Sequence, residues 1–568
     1  MNVTGTNWSK GPSVEAGEER ARQLPSSTVV LQHSIAGAVG TVASRLVGLG
    51  KTLTVAAVLG ATYLGNTYQA VNSLPNLVYY QLLAGSLFAS LLVPPLIAHV
   101  DRGDHMEARR LANGFLGSLL LIAALASGLL LALGPLVTGV LSLGVADPAT
   151  AAAQRRVGLL LLALFVPQIV LYVVAGTGAA VQNAHGRFGL AAAAPALESI
   201  GMIAVLAAVA VAFGTGGDIL EVSNVELLVL GVGTTAAVGL HAACQWFGAR
   251  SAGLVLVPGA GWRDPEVRRT LRKIVLVLGF TGLAAGEFFA AMIVANRVPG
   301  GLVAFQLALT FFYLPTALVT WPIGRALLPQ LARLHHAGEG GRSRDELLRS
   351  IAVASFVAAP VVVGYVALSG RLGQVLAFGQ LEHGDGPELF ALALVTLAPG
   401  VIGEAWFTLG TYAFYARQDA RSPVRSMAVR VAVSLAGMAV AWQARGPLVL
   451  VLLGCSVSLG SLVGAAHVGW VLRRQLPPGQ LSLLRSLART AGASMAMAAA
   501  VLVTMLSLRG LSSGRPAHLV VMIVVALVGI AVFVGAQAAW GAPELAWLKG
   551  ALARGGAAHA AHDEGRKS

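Results

Sequence analysis

Residues 44–95 read SRLVGLGKTLTVAAVLGATYLGNTYQAVNSLPNLVYYQLLAGSLFASLLVPP, two membrane-length apolar segments joined by an uncharged linker. The first segment carries two cations, Arg45 and Lys51, well inside a run long enough to cross a bilayer. A charge at that depth costs at least about 2.5–3.5 kcal/mol on insertion scales, so neither side chain belongs on lipid. Projected at roughly 100° per residue, Gly37, Thr41, Ser44, Gly48 and Lys51 share a narrow stripe, with Arg45 on its flank. Ile35, Val39, Val42, Leu46, Leu49 and Leu53 lie opposite. The pattern predicts a helix with an oily back and a small, cationic front that faces protein or a water-filled cavity. The alternative is that both cations snorkel to opposite interfaces.

The rest of the composition points the same way. The chain has 568 residues, 56% of them hydrophobic and only 11% charged, with a mean hydropathy of +0.75. No soluble fold hides that much apolar surface, which predicts an all-helical polytopic membrane protein. A net charge of +14 in a soluble protein would suggest nucleic acid. Here the cations sit between apolar runs, so the inner-membrane lipids, anionic on the cytoplasmic side, are the expected partner and nucleic acid is not.

About fourteen apolar spans follow one another between residues 34 and 540. They divide the chain into a disordered tail (1–33), an N-terminal lobe of six spans (34–247) and a basic linker (248–273). A C-terminal lobe of six spans (274–472), an extra helix pair (473–540) and a second tail (541–568) complete it. With the first tail in the cytoplasm, 29 of the 39 Lys and Arg residues fall on that side and 7 outside. Arg417, Arg421, Arg425 and Arg430, after the tenth span, are counted there as cytoplasmic. Such an asymmetry is hard to obtain from a wrong span number, because one missed helix inverts every later loop. Both termini are therefore expected in the cytoplasm. Residues 262–273 are expected to form a short amphipathic helix on the inner leaflet.

Sites for nucleotide, metal or nucleophilic chemistry do not appear. Gly48-Leu-Gly-Lys51-Thr52 resembles the end of a phosphate-binding loop, but Arg45 occupies the position of its first glycine. Cys244 and Cys455 lie in apolar segments, which argues against a disulfide framework or a metal site. Glu198, Glu287 and Glu404 each sit on a separate apolar span and are candidates for ion coupling, or for pairing with an intramembrane cation. His241 is expected to be simply hydrogen-bonded. In the loop Arg417-Gln418-Asp419-Ala-Arg421, Asp419 is a candidate to hold Arg417 or Arg421 in a gating latch between helix ends.

Three motifs resemble the MurJ (MviN) family of lipid II flippases. They are Ser44-Arg45-Leu-Val-Gly48 with Gly60-Ala61 and Leu74-Pro75-Asn76-Leu77; Leu327-Leu-Pro329-Gln-Leu331; and Tyr415-Ala-Arg417-Gln418-Asp419-Ala-Arg421-Ser422-Pro423. The resemblance implies a flippase that moves an undecaprenyl-linked peptidoglycan precursor across the bacterial inner membrane by alternating access. It also implies cell-wall synthesis proteins as partners. No cofactor is expected, and membrane potential or an ion gradient would supply the energy. The substrate-binding set it implies is Arg45, Lys51, Asn66, Asn76, Tyr79, Tyr80 and Thr310. Lys51 stands where the family has a second arginine, Asn66 where aspartate is usual, Tyr79 and Tyr80 where two arginines are common, and Thr310 where an arginine is expected. The cavity is thus expected to be more neutral and aromatic than in the family. The alternatives are an exporter of another amphiphile or lipid-linked glycan, a transport-inactive scaffold, and a membrane-embedded glycosyltransferase.

Overall fold

The computed structural model of the chain describes residues 27–78, 92–272, 274–382, 384–511 and 514–547. Among the described residues every regular element is helical. The first helix, α1 (Ser27–Leu59), starts within the stretch expected to be a disordered tail, so the last residues before 34 belong to the helix. It stops at Gly60, whose φ of +72° is a left-handed conformation that favours glycine. Thr62 then starts α2 (Tyr63–Asn76), its hydroxyl accepting a hydrogen bond from the Gly65 N–H at 3.1 Å. The next described helix is α3 (Val93–Asp101). Residues 79–91 between them, Tyr79 and Tyr80 included, lie outside the described set.

Proline and acidic caps punctuate the next passes. Asp104 caps α4 (His105–Ala132), and α5 (Gly134–Leu141) continues it from Pro135. Asp147 caps α6 (Pro148–Phe165), which runs through a break at Pro167 into α7 (Pro167–Ala184). Then come α8 (Phe188–Phe213) and α9 (Asn224–Ser251). In this first bundle α1 lies along α8, α8 on α9, α9 on α7 and α2 on α6.

The connection that follows is not a loose loop. Leu254, Leu256 and Val267 are buried in the same cluster as Leu111 and Phe115 of α4. Backbone meets backbone where Gly261 faces Gly114, and a Cβ on Gly261 would fall 1.9 Å from the Gly114 carbonyl oxygen. Asn113 accepts from the Gly259 N–H through its carbonyl and from the Val257 N–H through its side chain, both at 2.9 Å. Arg110 pairs with Asp264 at 3.1 Å. The short helix α10 (Pro265–Arg272), in place of the one expected over 262–273, is therefore fastened to the first bundle.

The second bundle holds α11 (Ile274–Ala295), α12 (Gly301–Pro315), α13 (Trp321–His336), α14 (Gly340–Leu376), α15 (Gly386–Leu397), α16 (Gly400–Ala416), α17 (Arg421–Ala441) and α18 (Leu448–Gln475). A π-helical turn at 316–320, between Pro315 and Pro322, joins α12 to α13. The axis bends by 49° between α15 and α16, beside Pro399. Last come α19 (Leu483–Ser507) and α20 (Arg515–Ala539), packed on each other and on α14, with Phe533 edge-on to Phe356 at 5.2 Å. Among the described residues, twelve helical stretches are each long and apolar enough to cross a membrane. With the bent α15–α16 pair taken as one further span, the described residues hold thirteen, an all-helical multi-pass membrane protein.

Candidate functional site

The two bundles touch mainly at one end, where the turns after α1, α8, α11 and α14 meet. Asn66 of α2, fully buried, reaches across with both ends of its amide. Its Nδ2 donates to the Val298 carbonyl at 2.8 Å, and its Oδ1 accepts from the N–H groups of Leu302 at 3.0 Å and Val303 at 3.3 Å. Those N–H groups open α12 and have no partner within their own helix, so Asn66 caps a helix of the opposite bundle. Asn296 does the reverse, donating to the Leu141 carbonyl at 2.7 Å and sharing amide bonds with Gln154 at 3.0 and 3.2 Å. Gln380 donates to Thr215 at 3.0 Å. Gly300, at φ +67°, lets the chains close up: a Cβ there would sit 2.2 Å from Cα of Ala61.

Beneath this seam lies a cavity of about 110 Å³, lined by Lys51, Thr52, Gln69, Asn72, Asn76 and Thr310 among others. Among the described residues, Lys51 is the only charged one in its wall. Gln306 of α12 crosses it to Ser73 of α2 at 3.0 Å. The volume is below the ~300–1,000 Å³ of ordinary ligand pockets, so this conformation is narrow as well as sealed at one end. Arg45 lies beyond Lys51, an exposed guanidinium 5.2 Å from the Trp321 ring of the other bundle. Of the residues expected to bind substrate, Lys51, Asn76 and Thr310 line the cavity and Arg45 stands further along the same helix. Asn66 does not line it: here its amide is consumed by the seam.

The three carboxylates expected on apolar spans, Glu198, Glu287 and Glu404, are buried and differently engaged. Glu198 of α8 accepts from the Tyr172 hydroxyl at 2.9 Å through Oε1, and His241 Nδ1 lies 3.0 Å from its Oε2. Glu287 and Glu404 share one cation, Arg430 of α17, which is 4% exposed. Arg430 Nη1 donates to Glu404 at 2.5 Å, whereas its Nε lies 3.2 Å from Glu287, an ion pair without a hydrogen-bonding angle. Ser434 donates to Glu287 at 2.6 Å, and the Phe407 ring lies 5.4 Å from the guanidinium. Arg430 is the residue that the sequence reading missed. It was counted with the cytoplasmic loop, yet it lies well inside α17. The signal was present, because Ser422, Ser426, Arg430 and Ser434 form a polar stripe at four-residue spacing and all are buried.

The expected latch at Asp419 takes another form. Its carboxylate accepts from the N–H groups of Arg421 and Ser422, both at 3.0 Å, and from the Ser422 hydroxyl at 2.5 Å. It thus caps the start of α17, while Arg417 donates to Gln475 at 2.8 Å inside the same bundle. Burial opposes ionisation of Asp419, but these hydrogen bonds outweigh it and hold the carboxyl below its ordinary range. The folded-state value is depressed, so the stabilisation is complete above the unfolded value and fades as pH falls through the folded one. Asp419→Ala is expected to cost about 0.5–2 kcal/mol, as for other lost caps. A thermal melt checks this, and spin-label distances between the bundles should stay unchanged, whereas an inter-bundle latch would shift them.

Two helical bundles that close over a polar cavity at one end define a membrane transporter rather than an enzyme. The match to known sequences is specific. Residues 55–528 match the family described as Lipid II flippase MurJ, and the chain belongs to that family. A probable lipid II flippase MurJ of Rhizobium tropici is 26% identical over 406 residues, which cover 70% of this chain and 72% of that one. The lipid II flippase MurJ of Burkholderia cenocepacia is 26% identical over 400 residues, covering 68% and 73%. The fold is similar to that of a lipid II flippase MurJ solved in an inward closed conformation, with a TM-score of 0.68 and 14% identity over 88% of this chain and 98% of that chain. It is also similar to an inward-facing multidrug resistance MATE family transporter, with a TM-score of 0.57 and 14% identity over 76% and 94%.

Proposed function

We propose that this chain is a lipid II flippase of the bacterial inner membrane, with both termini in the cytoplasm. The observation that carries the reading is Lys51, a cation in the wall of a cavity sealed at one end, within a chain of this family. The headgroup enters between the bundles while the lipid tail stays in the bilayer, and the bundles rock to present the cavity to either leaflet. The distribution of Lys and Arg supports placing the sealed end outside. Arg45 at the mouth and Lys51 within draw an anionic headgroup inward, and in a low-dielectric cavity each charge acts more strongly than it would in water. Membrane potential or an ion gradient supplies the energy, and cell-wall synthesis proteins are the natural neighbours. The neutral Asn76 and Thr310 in the wall favour a second reading, export of a different lipid-linked amphiphile.

Complementation of a flippase-depleted strain separates the two. Under the lipid II reading the wild type and Lys51→Arg restore growth, since Arg grips phosphate oxygens better than Lys. Arg45→Ala is expected to insert normally and fail to restore growth. If the wild type is inserted and fails to support growth in a host that accepts a close relative, the reading moves to another cargo. Full rescue by Arg45→Ala would remove that cation from the mechanism.

A further inference from the structure

Four carboxylates are buried among the described residues: Glu198, Glu287, Glu404 and Glu544. Glu287 and Glu404 are committed to Arg430, a guanidinium that does not deprotonate in proteins. Glu544 lies at the far end of the chain against Ser486. Glu198 alone is paired with an imidazole, that of His241, a group able both to donate and to accept a proton. An ionised carboxylate only accepts, so the imidazole donates from Nδ1 and leaves Nε2 as the base.

Other groups face this pair from the surrounding helices. Tyr172 of α7 donates to Glu198, Tyr68 of α2 and Lys51 of α1 line the adjoining cavity, and Cys244 lies one turn from His241 on α9. Glu226 and Arg250 lie at the two ends of α9. Lys51 shares the cavity wall with Met202, which lies one turn from Glu198 on α8, so the pair sits beside that wall. With His241 neutral, Glu198 and Lys51 balance, and an anion arriving at Lys51 adds an uncompensated negative charge. With a proton on His241 Nε2 the set carries one positive charge, and the anion neutralises it.

We propose that Glu198, His241 and Lys51 form a proton site linked to the cavity, so that an anionic headgroup binds at Lys51 together with one proton at His241. The proposal rests on the flippase reading and adds the ion and its place. Linkage makes the effect reciprocal: falling pH tightens anion binding, and anion binding draws in a proton.

The test uses the full chain in nanodiscs and a polyprenyl-pyrophosphoryl sugar, whose disubstituted pyrophosphate does not titrate in the neutral range. In weakly buffered solution with an indicator dye, binding to the wild type is expected to take up as much as one proton per protein. The affinity should rise by up to about tenfold per unit of falling pH, the limit for one linked proton. Two variants should lose this dependence in opposite directions. Glu198→Gln, whose amide oxygen can still accept from Tyr172 while its NH2 donates to His241 Nδ1, leaves Lys51 uncompensated and should bind tightly at every pH. His241→Gln should bind weakly at every pH. Binding without proton uptake, or uptake that survives in both variants, overturns the proton site and leaves the flippase reading intact. No binding by the folded wild type overturns both.

Discussion

Arg430→Met is expected to lower the thermal stability of the purified protein by about 3–5 kcal/mol equivalent and to cut its yield in the membrane. Removing this guanidinium leaves Glu287 and Glu404 facing each other across a site with almost no water access, and one partner lost from a buried ion pair costs that much. The same physics predicts a rescue. Arg430→Met combined with Glu287→Gln and Glu404→Gln removes all three charges and keeps the volume, so it should melt close to the wild type. Detergent-solubilised melts of the single and triple variants check this. A single variant as stable as the wild type would mean that the carboxylates tolerate each other, which requires a proton or a cation between them.

Gly300→Ala is expected to force the sealed end open. The residue would have to hold a left-handed φ of +67°, and its Cβ would fall 2.2 Å from Cα of Ala61. The backbone conformation alone costs about 1–2 kcal/mol. The clash is with main chain, so no rotamer relieves it, and the bundles have to part. A bias of about 2 kcal/mol already changes the ratio of two states by roughly thirtyfold. Spin labels at Ala146 and Arg445, exposed positions near that end in either bundle, should move apart in the variant. An unchanged distance together with normal complementation would show that the contact between Gly300 and Ala61 does not set the closed state.

The passes of the fold were legible because a bilayer demands long apolar runs, and because loop charges give an independent check on their number. Lys51, Asn76 and Thr310 were placed at the cavity by motif and resemblance, and they line it. Asn66 was not legible as a seam residue. Its partners are the backbone of Val298, Leu302 and Val303, more than 230 positions along the chain, and backbone atoms leave no mark in side-chain pattern. Arg430 was hidden for a different reason. Four arginines follow the tenth span within a short distance, and a hydropathy boundary drawn among them cannot tell which one is inside. Only the stripe of serines around it marks the buried face of α17. Asp419 shows the limit of charge reasoning in a loop, where backbone N–H groups competed with the arginines for its carboxylate and won.

The fastened connection between the bundles has a mechanical meaning. A free tether of roughly 20 residues reaches about 70 Å when extended, and would let one bundle slide a long way past the other. Here Leu254, Leu256, Val267 and Asp264 pin that length to α4, and a single position separates the end of α10 at Arg272 from the start of α11 at Ile274. The slack is spent. An elevator-like displacement along the membrane normal would first have to strip residues 254–272 from the first bundle.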